Sequence, residues 1–463
     1  MAHVLRITDG TTTVTFTSGN QYLSRYVPDT SFSGEDLKEV ATVGFIGASV
    51  AAAVTTIQSV SALLEQARRW DKYKTGARVF VEFDPGATGT VYRSLVRGGN
   101  INLNEKTLKE HWGSRNLEVQ IEWTRQGFWE GPETALTLTS FATAANTTVT
   151  VGNKSDSDAG NYVAIASTDI VLGDLPAPMK LTVTNTVPTS DAYGNFWEMY
   201  VFHNVDSSPS VFNPWIEAES SSDATSTTDV YSSNYAYHNL SWATTADTKL
   251  LLWVITNTQV DAAAGGRFAV FMIPSQSGLP SSEIKYWSVK LLDQSQSGYE
   301  LITQKAQDGT VSYQPWYIDT IRLLPTLQAA TTFAPVYLEL WGYCPTTDTH
   351  TRSLDAIFLA PVSADSGWIK IVHTSLGGSN GGIAYNEKIV VNEYDDLVYH
   401  EASNKKQPTL AMYGGPILLV PNKAQRLYFL FTVPTVYVRF QTASVSISYR
   451  PRDRKSTRLN SSH

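Results

Sequence analysis

The sequence predicts an all-β chain, built from antiparallel β-sandwich or jelly-roll domains, with one packed α-helix in the N-terminal region. Three observations carry this. Apolar and polar residues alternate with period two, as in Leu117, Val119, Ile121 and Trp123 against Glu118, Gln120, Glu122 and Thr124. Gly, Pro, Asn, Asp and Ser cluster between such segments. Helical spacing stands out in one place. Many strands without long helices between them favour antiparallel sandwiches over a parallel sheet.

The helix is read from Ser49, whose side chain can cap it. Val50, Val54, Ile57, Leu64 and Ala67 repeat at helical spacing. Arg68 and Arg69 sit near the end, where positive charge suits the dipole, and Lys72–Gly76 stops it. Strands are predicted near Arg78–Asp84, Lys180–Asn185, Lys249–Thr256, Arg267–Pro274, Tyr286–Leu292, Val336–Tyr343, Trp368–Thr374, Arg426–Val433 and Val445–Tyr449. These are rich in β-branched and aromatic residues. Two similar segments, Tyr317–Pro325 and Ser353–Pro361, read as strands closed by proline, which cannot donate to a ladder. Glu219–Asn234 is rich in Ser, Thr and Asp and reads as a long mobile loop. The expected organisation is 1–135, a β domain with one helix; 136–176, a linker with first strands; 177–363, a central jelly roll; and 364–452, a C-terminal β region. Residues 453–463 resemble a translated sequencing adapter and are set aside.

Composition narrows the function. Among 463 residues, 35 are Lys or Arg and 43 Asp or Glu, a net charge of −8, so no basic footprint marks a nucleic-acid binder. One cysteine, Cys344, excludes an intramolecular disulfide scaffold and Cys-clustered zinc. The N-terminus lacks the basic-then-apolar pattern of a secretory signal. Val40–Leu64 carries no charge, but its Ser, Thr, Gln and Gly make it too polar for a membrane span.

Several stretches resemble one family. They are Ile7-Thr-Asp-Gly10, the unit ending Ala67-Arg-Arg-Trp70, Tyr92-Arg-Ser94 with Gly98-Gly99, and Thr124-Arg-Gln-Gly-Phe-Trp129. Gly414-Gly-Pro-Ile417, Leu419-Val-Pro421, Arg426-Leu-Tyr-Phe429 and Tyr449-Arg-Pro-Arg452 continue the pattern near the other end. Together they resemble tail-tip proteins of long-tailed bacteriophages, of the distal-tail or baseplate type. The centre, from Gly173-Asp-Leu-Pro-Ala-Pro178 to Pro361, is similar to jelly-roll modules of the carbohydrate-binding kind. The resemblance implies a virion structural protein that forms a homo-oligomeric ring with other tail proteins and displays an extra β domain outward.

Motifs for catalysis lack their context. Gly377-Gly-Ser379-Asn-Gly381 matches a nucleophile elbow, and Asp395 and His400 follow in hydrolase order. An elbow needs a strand, a sharp turn and a helix, whereas Lys388–Asn392 reads as another strand. A hairpin loop is the expectation. Asp156, Asp158 and Gly160-Asn161 hint at a calcium loop but have no bidentate Glu in range, so an Asp/Gly turn is expected. Asp319 is a second oxygen-ligand candidate beside the plain reading of an exposed polar residue. Histidines are scattered without metal-ligand spacing. Glu393, Asp395 and Asp396 read as a solvated edge that blocks strand pairing. No cofactor or metal is expected.

The aromatic content, 12 Trp, 23 Tyr and 17 Phe, is the remaining lead. Most should be core or cross-strand pairs. Trp215, Tyr231, Asn234, Tyr235, Tyr237 and Trp242 lie outside regular alternation or beside amides and are the candidates for binding a carbohydrate. The same composition suits a protein interface. The function expected is a non-enzymatic tail-tip component that adheres to host-surface glycans. The alternatives are a carbohydrate-active enzyme with binding modules and a purely structural tail protein.

Overall fold

The computed structural model describes residues 4–453 apart from 18, 27–35, 86–88, 103–115, 141–143, 153–160, 166–170, 188–194, 197, 206–213, 223–225, 229–235, 243–244, 264–265, 275–284, 294–297, 302–305, 309–314, 325–326, 330–331, 344–349, 363–366, 374–381, 404, 408 and 433–441. The chain is all-β with antiparallel sheets and one long helix near its start, as the periodicity predicts. It forms two compact units. One comprises Met1–Thr134, Leu172–Ala177 and Arg450–His463; the other comprises Ala135–Val171 and Pro178–Tyr449.

The first unit is an antiparallel sheet with a helix on one face. Its main path runs Thr13–Thr15, Val4–Thr8, Phe80–Asp84, Tyr92–Asn102, Asn116–Arg125, Leu37–Ile46 and Gln21–Tyr26. The predicted alternation of Leu117, Val119, Ile121 and Trp123 is the buried face of one strand. The helix spans Val50–Tyr73, capped where expected: Ala52 N donates to Ser49 Oγ at 3.2 Å. Lys74 ends it in the left-handed region, with its N–H on Trp70 O. Ala53, Ile57, Val60, Leu63, Leu64 and Ala67 are buried in the unit's core. Each large aliphatic among them stabilises by roughly 1.5–3 kcal/mol relative to exposure. The suspected span Val40–Leu64 is thus divided between a strand and this helix, and no helix among the described residues is long and apolar enough to cross a membrane.

Gly99 lets the helix approach. A Cβ there would lie 2.2 Å from Glu122 O and 2.9 Å from Leu64 Cδ2. Arg68 reaches across, its Nη2 donating to Gly99 O at 2.8 Å.

The unit is completed by the far end of the chain. Arg452–Asp453 pairs antiparallel with Trp129–Glu130, and Gly131 N donates to Pro451 O at 2.8 Å. Asp453, set aside with the terminal segment, belongs to this strand; 454–463 lie outside the described residues.

The second unit holds two nested layers of sheet. Leu138–Ser140, Tyr162–Ile165, Gln425–Thr432, Glu198–Val205, Trp368–His373 and Leu410–Gly414 form one six-stranded sheet. Val149–Gly152, Thr442–Tyr449, Ala177–Asn185, Lys388–Asn392, Leu397–Ala402 and Lys405–Gln407 form the path of another. Both draw strands from either side of 215–361, which builds a sandwich of its own. One face of that sandwich is Ser226–Thr228, Ala236–Trp242, His350–Pro361, Arg267–Pro274 and Trp316–Arg322, with Trp215–Glu217 on its edge. The other is Thr248–Ile255, Val336–Tyr343, Lys285–Leu292 and Gly298–Leu301, with Ala306–Asp308. Trp253, Trp287, Leu338 and Leu340 meet Phe268, Val270, Ile357 and Leu359 in the core between them. Glu219–Asn234, read from sequence as a loop, contains the strand Ser226–Thr228, and a short helix, Asn257–Ala263, follows Thr248–Ile255.

The pair of Arg125 and Glu39 is buried inside the first unit. Arg125 Nη2 donates to Glu39 Oε1 at 2.6 Å, while Tyr26 Oη and Trp123 Nε1 donate to Oε2 at 2.9 and 3.1 Å. Burial, then the Glu39 charge, holds the Tyr26 hydroxyl well above its ordinary value. The Arg125 guanidinium also covers the Trp129 ring at 4.5 Å. Removing one partner strands the other charge in the core. Glu39→Gln is therefore expected to lower unfolding free energy by about 3–5 kcal/mol. Urea denaturation followed by tryptophan fluorescence checks this, and an unchanged midpoint contradicts it.

Candidate functional site

The site begins where two sheets of the second unit meet face to face. The strand Glu198–Val205 is apolar on both sides. Met199 and Val201 are buried on one face, and Tyr200 and Phe202 point to the other. There they meet Phe271 and Phe358 from Arg267–Pro274 and His350–Pro361. Tyr200 and Phe202 stack at 6.2 Å, and Phe271 lies 6.0 Å from each. Such a seam forms because aromatic rings on a pleated sheet reach their cross-strand and cross-sheet neighbours together.

Trp215 is the base of this seam. It is buried, its ring 6.0 Å from Phe358 and packed with Phe202 and Tyr428 in one cluster. A stacked sugar needs an exposed ring face, so Trp215 serves the packing of the seam instead. Tyr237 and Trp242 lie in the strand Ala236–Trp242, opposite Thr227 and His350. Tyr231, Asn234 and Tyr235 lie outside the described residues. The structure does not bring the six candidates together as one described site.

The seam has an exposed rim that the sequence reading missed. Opposite residues of neighbouring strands share a face. Tyr200 stands opposite Lys370, and Lys370 opposite Tyr413, so the three form one row across three strands. Tyr413 is 57% exposed and Trp368, beside Lys370, is 41% exposed. Across the sheet junction Tyr317 is 48% exposed, its ring 5.8 Å from Phe271. Lys370 Nζ lies 4.9 Å from the Tyr200 ring centre and 3.0 Å from Glu198 Oε1. Burial works to lower the Lys370 ammonium, but Tyr200 and Glu198 outweigh it and hold it above its ordinary value. Burial raises the Tyr200 hydroxyl. Tyr317 Oη and Thr320 Oγ1 are 3.0 Å apart. The result is an open aromatic ledge with a charge-paired donor and acceptor in its middle. Aromatics at Tyr200 and Phe202, on the side of the strand opposite the apolar Met199 and Val201, were the signal in the sequence.

The catalytic and metal motifs resolve differently. Residues 377–381 and 156–160 lie outside the described residues. His400 Nε2 is 2.9 Å from Glu387 Oε2 and its Nδ1 is 3.3 Å from Thr409 Oγ1. Both ring nitrogens thus have partners other than Asp395, which accepts from Asn392 Nδ2 at 2.8 Å. Asp319 Oδ1 accepts from Thr320 N at 2.7 Å, as a turn-type side chain does. Glu393, Asp395 and Asp396 form the turn between Lys388–Asn392 and Leu397–Ala402, and Glu393 Oε1 accepts from Ile417 N at 2.9 Å. Among the described residues no group of three or more His, Cys, Asp or Glu is placed to hold a metal.

No family model matches the chain, and no curated protein does. Two solved structures of the phage P2 baseplate in its activated conformation, one with Ca and one with Sr, are similar to it. At 8% and 9% identity they cover 75% and 74% of this chain and 100% and 99% of theirs, with TM-scores of 0.22 and 0.21. A structure of infectious bursal disease virus, Gt strain, covers 70% of this chain and 82% of its own at 10% identity, with a TM-score of 0.18. Scores this low do not establish a shared fold.

Two buried titratable groups give the second unit a pH signature. Burial pushes the Glu393 carboxyl up from 4.5 to about 7. Between those values the folded chain keeps a proton that the unfolded chain has released, so this contribution to stability falls as pH rises through the window. His203, buried beside Gln425 Oε1 at 3.0 Å, is lowered from 6.5 to about 4 by burial, and its contribution is lost as pH falls through that range. Comparing wild type with Glu393→Gln isolates the carboxyl. The variant should gain relative stability as pH rises from 4.5 to 7, read from urea midpoints. A pH-independent difference contradicts the buried-acid assignment.

Proposed function

We propose that this chain is a non-enzymatic structural protein of a phage tail tip or baseplate. It assembles with copies of itself and with other tail proteins, and its second unit adheres to glycans of the host surface. One observation carries the structural part. Two of the stretches that resemble tail-tip proteins, Thr124–Trp129 and Tyr449–Arg452, are more than 300 residues apart in sequence, yet Trp129–Glu130 and Arg452–Asp453 form one ladder. Residues from both ends of the resemblance thus pair within the first unit, and most of the second unit lies between them in sequence. Adhesion is supported by the exposed aromatics of the ledge, Tyr413, Trp368 and Tyr317, whereas a hydrolase needs a cleft with facing carboxylates. Weak sites of this kind gain strength by repetition in an assembly.

Light scattering on purified chain over a concentration series tests the assembly. A multimer of defined copy number is expected. A strict monomer at the highest concentration contradicts the reading.

A further inference from the structure

We infer that the row Tyr200–Lys370–Tyr413, flanked by Tyr317 and Trp368, is a binding site for an uncharged pyranose unit. This deepens the adhesion proposed above and rests on it. The ledge combines what such a ligand needs. Tyr413, Tyr317 and Trp368 are exposed residues, and the apolar C–H face of a pyranose can lie against an accessible aromatic ring. Between the open rings stands a donor and an acceptor, Lys370 Nζ and the Glu198 carboxylate, 3.0 Å apart. Lys370 meets both Glu198 and the Tyr200 hydroxyl, and an ammonium has three donors and a carboxylate about four acceptor sites, so these contacts do not exhaust either group. A pair of neighbouring sugar hydroxyls can accept from one and donate to the other.

The same pair selects against charge. Lys370 is already neutralised by Glu198, so a carboxylate or phosphate on the ligand would meet Glu198 without gaining a free cation. The chain's net charge of −8 adds to that bias at long range. The rings are held in place from behind. Tyr200 is stacked on Phe202, and Tyr317 packs on Phe271, both anchored in the buried cluster that includes Trp215 and Phe358. A preformed platform loses little freedom on binding, which is how a shallow site reaches useful affinity.

Calorimetric titration of the full chain with maltotriose, cellotriose and a galactotriose, and with the matching uronate and phosphorylated oligosaccharides, tests this. The variants are Tyr413→Ala, Tyr317→Ala and the double change Lys370→Met with Glu198→Gln, which avoids leaving either charge alone. Leu397→Ala, an exposed residue of another sheet, is the control. The expected result is binding of at least one uncharged sugar, weakened about tenfold by each ledge variant and unchanged in the control. Uncharged sugar bound equally by all variants overturns this site and leaves glycan adhesion standing. Preference for the acidic sugars, or loss in the control as well, also overturns it. No binding of any sugar removes both the site and the adhesion reading. Self-association abolished by Tyr413→Ala, without sugar binding, would make the ledge a contact between copies and overturn the inference.

Discussion

Glu130 ties the strand Arg452–Asp453 to the N-terminal sheet. Its carboxylate is buried, with Arg452 Nη2 at 2.9 Å and Nε at 3.2 Å on one oxygen and Arg93 Nε at 3.2 Å on the other. The first arginine comes from the chain's end and the second from the middle of the N-terminal sheet. Charged hydrogen bonds shared in this way are stronger than neutral ones, and losing the shared acceptor would strand two guanidinium groups. The backbone around the closing strand is equally particular. Gly173 has φ +110°, and a Cβ there would lie 2.6 Å from Arg452 O. Few side chains tolerate that conformation, so glycine is the residue that lets this segment lie against the closing strand.

Everything between Ala135 and Tyr449, other than Leu172–Ala177, belongs to the second unit, so the first unit cannot be completed until the last strand has been made. The entropy of closing so long a loop grows only slowly with its length, and the folded insert shortens it further. Nesting repeats inside the second unit. Strands from 138–205 and 368–449 pair with one another, and the sandwich of 215–361 is hung between them. The inserted sandwich then covers the outer face of Glu198–Val205. That is why this strand is apolar on both sides, and why the aromatic seam exists.

Much of this architecture was legible in the sequence because it is local. The helix cap at Ser49, the strand Asn116–Arg125 and the strands near Arg267–Pro274 and Val336–Tyr343 announce themselves by period and composition. What was not legible is pairing between distant segments. Nothing local says that Glu130 should meet Arg452, or that Tyr200, Lys370 and Tyr413 should form a row. The same limit explains Trp215. Its neighbours Asn213 and Pro214 gave it the look of an exposed loop aromatic, while its burial is decided by Phe358, far along the chain. The strand Ser226–Thr228 was hidden by a Ser- and Thr-rich composition that suits a loop and an edge strand alike.

The strand Arg452–Asp453 and the N-terminal sheet are one folded unit joined at Glu130. A double-mutant cycle on Glu130→Ala and Arg452→Ala, followed by urea unfolding, tests it most directly. A coupling energy on the order of 1–3 kcal/mol between the two positions is expected. Additive losses, with no coupling, would mean that the closing strand is not held there, and would contradict it.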